Sequence, residues 1–173
     1  RPGCVEHWLL HQLRQSPAFI PELDYVACDG NRIVGNIVYS KAVVRDGAEE
    51  HPVLCMGPLS VLPAYQKQGV GSRLMETTLK KARALGHAAV VIYGHPDYYH
   101  RFGFRDAREY NIQTPDGQNF DAFMALALNP LAVQTVRGRF YEDAAFHVDE
   151  QAVEEFDRRF SPKDKHKRAG QFE

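Results

Sequence analysis

Apolar and polar positions divide the chain into short alternating segments. Residues 6–15 set Trp8, Leu9, Leu10 and Leu13 among polar neighbours at helical spacing, and the pattern stops before Ser16 and Pro17. Residues 23–28 and 32–44 are rich in valine, isoleucine and tyrosine. Between them Asp29, Gly30 and Asn31 tolerate positive φ, which predicts two antiparallel strands joined by a hairpin turn. A polar loop is expected over 45–52, followed by an apolar run over 53–62 in which Gly57 and Pro58 break or bulge the strand.

From residue 70 onward Val70, Leu74, Thr78, Ala82 and Leu85 recur at helical spacing with Leu79 on the same side, and Gly86 caps the end. Residues 88–93 form a continuous apolar run, as in a buried central strand. A brief helix over 97–102 follows Pro96 and closes at Gly103, and residues 122–128 read as another strand. An antiparallel hairpin followed by strand, helix, strand, helix, strand predicts an α+β fold, a mixed sheet with helices packed on it. Residues 149–160 predict a terminal helix through Ala152, Val153, Phe156 and Phe160, and the run from Lys163 to Arg168 reads as a solvated basic tail.

Composition narrows the classes of function. The 173 residues fit one domain, and 21 basic against 22 acidic residues give a net charge of -1, so no global attraction to nucleic acid is expected. Any anionic ligand must be held locally. Cys4, Cys28 and Cys55 are far apart and lack C-x-x-C spacing, which argues against a disulfide framework and a zinc site and favours a reducing cytoplasm. No apolar run approaches the ~18 residues that would cross a membrane.

The local anion site falls at Gln66, Lys67, Gln68, Gly69, Val70, Gly71 and Ser72, between a strand and an amphipathic helix. Free N–H groups and the positive end of the helix dipole point outward there, the glycines let a pyrophosphate approach the backbone, and Lys67 or Arg73 adds charge at the rim. A P-loop is excluded because Ser72 and Arg73 follow Gly71, and a dinucleotide fingerprint is excluded because Leu74 stands where its third glycine belongs. Taken alone, Gly69 and Gly71 equally fit a plain tight connection.

Leu59-Ser60-Val61, the turn from Gln66 to Gly71, the helix, Val90-Val91-Ile92 and Tyr99-His100-Arg101-Phe102-Gly103-Phe104 together resemble the GCN5-related N-acetyltransferase (GNAT) family in order and spacing. The ending Y-Y-x-R-F-G-F resembles a branch of small bacterial members. The resemblance implies a central mixed, mostly antiparallel twisted sheet flanked by helices, with acetyl-CoA as cosubstrate and an amine as acceptor. It implies that Leu59, Ser60 and Val61 meet the acetyl and pantetheine portions, that residues 66–72 hold the pyrophosphate, and that Tyr99 protonates the departing thiolate. The family's fold begins with a further strand and helix upstream of residues 6–15; this sequence lacks room for both, and whether they are absent from the protein or only omitted from this chain is left open.

Acyl transfer from a thioester to an amine needs a free amine, a polarised carbonyl and a protonated leaving sulfur. Tyr99 serves the last need, although a packed aromatic beside Tyr98, Phe102 and Phe104 is the alternative. His95, with an ordinary pKa near ~6.5, is the candidate base, against a local hydrogen-bonding role or a chain of waters. His7 and His11 have i, i+4 spacing, but no third ligand can be placed, so no metal is expected. A non-catalytic acyl-CoA sensor is the competing function, and a homodimer through an exposed edge strand is an open expectation.

Overall fold

A computed structural model of the chain describes residues 5–162. The strands are β1 (Tyr25–Asp29), β2 (Arg32–Asp46), β3 (Glu49–Val61), β4 (Ala89–Tyr93), β5 (Arg105–Asp106), β6 (Ile112–Gln113), β7 (Phe123–Ala127) and β8 (Gly138–Tyr141). The helices are α1 (Glu6–Leu13), α2 (Val70–Ala84), α3 (Pro96–Tyr99) and α4 (Glu150–Asp157). One sheet joins all eight strands in the order β5-β7-β4-β3-β2-β8-β6, and β1 pairs with β2 as well. The β3–β4 and β6–β8 pairs are parallel and the others antiparallel, which is the mixed α+β arrangement the pattern predicts.

Residues expected to form a polar loop, 45–52, instead close a long hairpin. β2 runs to Asp46 and β3 begins at Glu49, with Arg45 paired to Glu50 and Gly47 turning at positive φ. The segment is polar because this end of the hairpin lies in solvent, where Arg45 Nε donates to Glu50 Oε1 at 2.8 Å. Three short strands, β5, β6 and β8, fall where the sequence offers no alternating run long enough to announce them. The Gly57–Pro58 position is a bulge within a continuous strand, since Ile37 pairs with Leu59 and Tyr39 with Met56.

Each face of the sheet carries its own core. On one face α2 lays Leu74, Met75, Leu79 and Ala82 against Tyr39, Leu54, Met56, Val90 and Ile92. Burial of this kind makes a Leu79→Ala change cost about 2–5 kcal/mol. Thr78, also on the buried side of α2, donates to the Leu74 carbonyl at 2.7 Å and accepts from the Tyr39 hydroxyl at 2.9 Å. The opposite face buries Val44, Val53, Cys55, Val91, Phe123, Ala125 and Phe140. His7 and His11 belong to the contact of α1 with α4: His11 stacks on Phe156 with ring centroids 4.7 Å apart, and His7 Nε2 lies 3.3 Å from Asp157. The basic run from Lys163 to Arg168 lies outside the described residues. No helix among the described residues is long and apolar enough to cross a membrane.

Candidate active site

The parallel strands β3 and β4 stay together only briefly. Leu54 pairs with Val90 and Cys55 with Val91, after which the two strands part while β3 remains bonded to β2 as far as Val61. Residues 56–61 therefore border an opening in the sheet, with backbone groups on their β4 side outside any ladder. Leu59 turns toward the α2 core, Ser60 lies on the other face with its hydroxyl donating to Asn36 Oδ1, and the Val61 carbonyl accepts from Gln66 Nε2 at 3.0 Å.

The predicted anion turn stands at the end of this opening. Gly69 caps α2 in the left-handed conformation, at φ 82, which leaves the first-turn N–H groups of Val70, Gly71 and Ser72 without partners four residues back. Gln68 Nε2 donates to the Ala64 carbonyl at 2.7 Å, so Gln66 and Gln68 both brace the loop on its own backbone. Lys67, exposed at φ 61, and Arg73, whose guanidinium donates to the Gln68 carbonyl, stand at the rim.

Two glycines seat the tyrosines. A Cβ at Gly71 would lie 2.6 Å from the Tyr98 hydroxyl, and a Cβ at Gly94 would collide with the Cε2–Cδ2 edge of the Tyr99 ring. Tyr98 thus abuts the first turn of α2, while Tyr99 rests on the residue directly after β4, packed edge-on to Phe104 with centroids 5.7 Å apart. Desolvation pushes the Tyr99 phenol up to about 12, with the Tyr98 hydroxyl adding to the effect. His95 caps α3 from the backbone, where its carbonyl accepts the N–H groups of Tyr98 and Tyr99 at 3.0 and 3.1 Å, and its side chain is exposed.

On the opposite face another set of groups gathers at the same opening. Ser40, Cys55 and Val91 are register partners across β2, β3 and β4, and Tyr93 follows on the same side as Val91. Glu142, just beyond β8, is an exposed residue whose carboxyl nonetheless reaches inward, 3.9 Å from the buried Cys55 thiol. Desolvation raises the Glu142 pKa, and the Cys55 thiol lowers it by a smaller amount. The Tyr93 phenol is pushed up by burial, then by the charge of Glu142. Sequence reasoning did not bring these groups together, because they come from four distant segments with no shared spacing.

A cavity of about 410 Å³ beside Glu142 is lined by Lys41, Ala42, Arg45, Tyr141 and Asp143 among others. A larger one, about 460 Å³, lies between β1 and α2; it reaches the anion turn through Gln68, Val70 and Arg73 but includes neither Tyr99 nor Glu142. Volume is thus a poorer guide to the chemistry than the split strands. Among the described residues no group of three or more histidine, cysteine, aspartate or glutamate side chains is placed to hold a metal ion.

A ligand with phosphates at one end and a long arm that bonds to strand backbone suits this layout, which defines the class of coenzyme-dependent acyl transferases. Residues 22–106 match the family model of the acetyltransferase (GNAT) domain. The N-acetyltransferase YhbS of Escherichia coli strain K12 is 31% identical over 135 residues, 78% of this chain and 78% of that protein. Its crystal structure in complex with CoA superposes with a TM-score of 0.73 at 30% identity, covering 82% of this chain and 77% of that one. A GNAT acetyltransferase from Brucella melitensis in complex with acetyl-CoA gives a TM-score of 0.65 at 29% identity over 83% of this chain and 79% of that one. The N-acetyltransferase YjhQ of E. coli K12 is 32% identical over 96 residues, a match that spans 56% of this chain and 53% of YjhQ. The chain belongs to the GNAT acetyltransferase family.

Proposed function

We propose that the chain transfers the acetyl group of acetyl-CoA directly to a primary amine while both are bound. The observation that carries this reading is the alignment of the capped N-terminus of α2, the unpaired edge of residues 56–61 and Tyr99 along one opening of the sheet. In this reading the N–H groups of residues 66–72 hold the pyrophosphate, as an anion at a helix N-terminus, and Lys67 and Arg73 strengthen the field. Leu59, Ser60 and Val61 run beside the pantetheine arm and acetyl group, bonding through the backbone. The CoA-bound and acetyl-CoA-bound relatives support the choice of donor.

Tyr99 is the group that meets the leaving sulfur. Its pKa near 12 keeps it a neutral donor at every physiological pH, whereas a free thiol titrates near ~8.5. It is therefore a weaker acid than the thiol it helps to form. Its contribution is a hydrogen bond that strengthens as negative charge builds on sulfur, with the proton following as the C–S bond breaks. Tyr99→Phe is expected to lower kcat by about 100-fold and leave acetyl-CoA affinity within about twofold. Acceptor-dependent release of CoA thiol measures the first and calorimetry the second. An unchanged kcat removes Tyr99 from the chemistry, and acetyl-CoA binding without acceptor-dependent release identifies a sensor instead of an enzyme.

A further inference from the structure

The acetyl-transfer reading accounts for the α2 face of the opening and leaves the other face unused. There, Ser40 is fully buried and its hydroxyl has no hydrogen-bond partner, and the buried Asn36 Nδ2, four residues along the same face of β2, has none either. Buried polar atoms are almost always paired, so two orphans on one stretch of β2 mark a place where a bound molecule supplies the partner. Beside them Glu142 extends a carboxyl toward Cys55, a weak donor that leaves most of its lone pairs unused. Tyr93 and Phe120 form a stacked pair with centroids 6.0 Å apart, and they remain 43% and 45% exposed although their neighbours Phe123 and Phe140 are fully buried.

We propose that this face receives the acceptor amine, with Glu142 as the base that takes its proton and Tyr93 with Phe120 as the shelf for an apolar body attached to the nitrogen. The inference rests on the acetyl-transfer reading. The acceptor arrives as an ammonium ion, attracted by the carboxylate and by the faces of the aromatic rings. Glu142 takes one proton, the nitrogen lone pair attacks the thioester carbon, and the C–N bond forms. As the intermediate collapses the C–S bond breaks, Tyr99 gives its proton to the sulfur, which leaves as thiol, and the second nitrogen proton passes through solvent to restore the Tyr99 phenol. Glu142 then returns its proton to solvent. Acid and base thus work from opposite faces of one opening, and the two substrates do not compete for space.

The charged and titratable groups around Glu142 are consistent with this role. Cys55 faces it from β3 and Tyr93 from β4, and Asp116 adds negative charge near Tyr93. Lys41 and Arg45 approach from β2 and Tyr141 and Asp143 from its own segment. Arg45 is engaged by Glu50 and by the Tyr141 ring, and Asp143 accepts from Ser16 Oγ at 2.8 Å and from the Ala145 N–H at 2.9 Å. Its raised pKa brings Glu142 closer to neutrality than an ordinary carboxylate, which suits a group that must both accept and release a proton. His95 stands on the exposed start of α3, beside the tyrosines of the donor face.

The test uses the described chain with phenethylamine and hexylamine as acceptors, ethanolamine as the acceptor without an apolar body, and calorimetry for acetyl-CoA. Glu142→Gln is expected to lower kcat/KM for phenethylamine by about 100-fold or more at neutral pH, with acetyl-CoA affinity unchanged. Its residual rate should rise about tenfold per pH unit as free amine accumulates, whereas His95→Gln keeps the wild-type pH profile. Ethanolamine should react more slowly than either apolar amine. A Glu142→Gln enzyme with wild-type rate and profile overturns the proposal. Should that variant fail to fold, Cys55→Ala decides: loss of the thiol moves the acid limb of the wild-type profile upward, and an unmoved limb overturns the assignment. Acetyl-CoA binding without acetylation of either apolar amine overturns this inference alone, while absence of acetyl-CoA binding overturns the donor reading beneath it.

Discussion

The two faces of the β3–β4 opening solve different problems with different materials. The α2 face is built from donors: first-turn N–H groups, a phenol held at high pKa and glycines that bring them close, with Lys67 and Arg73 at its rim. It suits a ligand that brings its own negative charge. The opposite face has a carboxylate, an orphan hydroxyl and an aromatic pair, and suits a ligand that arrives positive. In the proposed reading the contrast separates donor from acceptor by sign of charge as well as by position, so a single substitution should affect one ligand and spare the other.

The largest break in this comparison is expected at Gly94. A methyl group there collides with the Tyr99 ring, so Gly94→Ala should cost at least the roughly 100-fold in kcat assigned to loss of the Tyr99 hydroxyl, checked by steady-state kinetics on folded protein. Gly71→Ala comes next. Its Cβ meets the Tyr98 hydroxyl, and displacement of the first turn of α2 should weaken acetyl-CoA binding by about tenfold, a shift of about 1.4 kcal/mol read by calorimetry. Glu142→Gln should leave that same constant alone.

Smaller effects test whether the faces are independent in stability. Thr78→Val strands the buried Tyr39 hydroxyl and should cost about 1–3 kcal/mol in urea denaturation, without altering the ratio of amine to acetyl-CoA affinity. The smallest effect is the pH dependence of Glu142. Its pKa in the folded chain lies above the unfolded value, so the folded state holds the proton more tightly. Stability from this group is fully present below the unfolded carboxyl pKa and falls as pH rises through the folded one. Glu142→Gln should therefore melt at a Tm equal to or slightly above wild type at neutral pH, and the difference should vanish in acid. A clear loss of Tm at neutral pH would mark Glu142 as a structural support.

The layout proposed for the donor is legible in the sequence because its parts are nearly contiguous. Leu59, the glycine turn, the periodic helix and Tyr99 follow one another at spacings fixed by strand and helix geometry, and each glycine has a steric reason to be where it is. The face proposed for the acceptor offers no such spacing. Glu142 reaches Cys55 and Tyr93 only because β8 pairs with β2 at Val43, Val44 and Arg45, a contact that joins residues nearly a hundred positions apart through a strand too short to read. The hairpin end at 45–52 was misread for a related reason: a strand pair that projects into solvent on both faces loses the alternation that identifies strands.

The resumption of pairing at Cys55 and Val91 has a consequence for engineering. The inner end of the opening is the point where the backbones of β3 and β4 are hydrogen-bonded, at Cys55 and Val91. With only two residue pairs holding β3 to β4, the depth of the opening depends on where two strands unzip, so changes at that short ladder would alter the room available to an entering group.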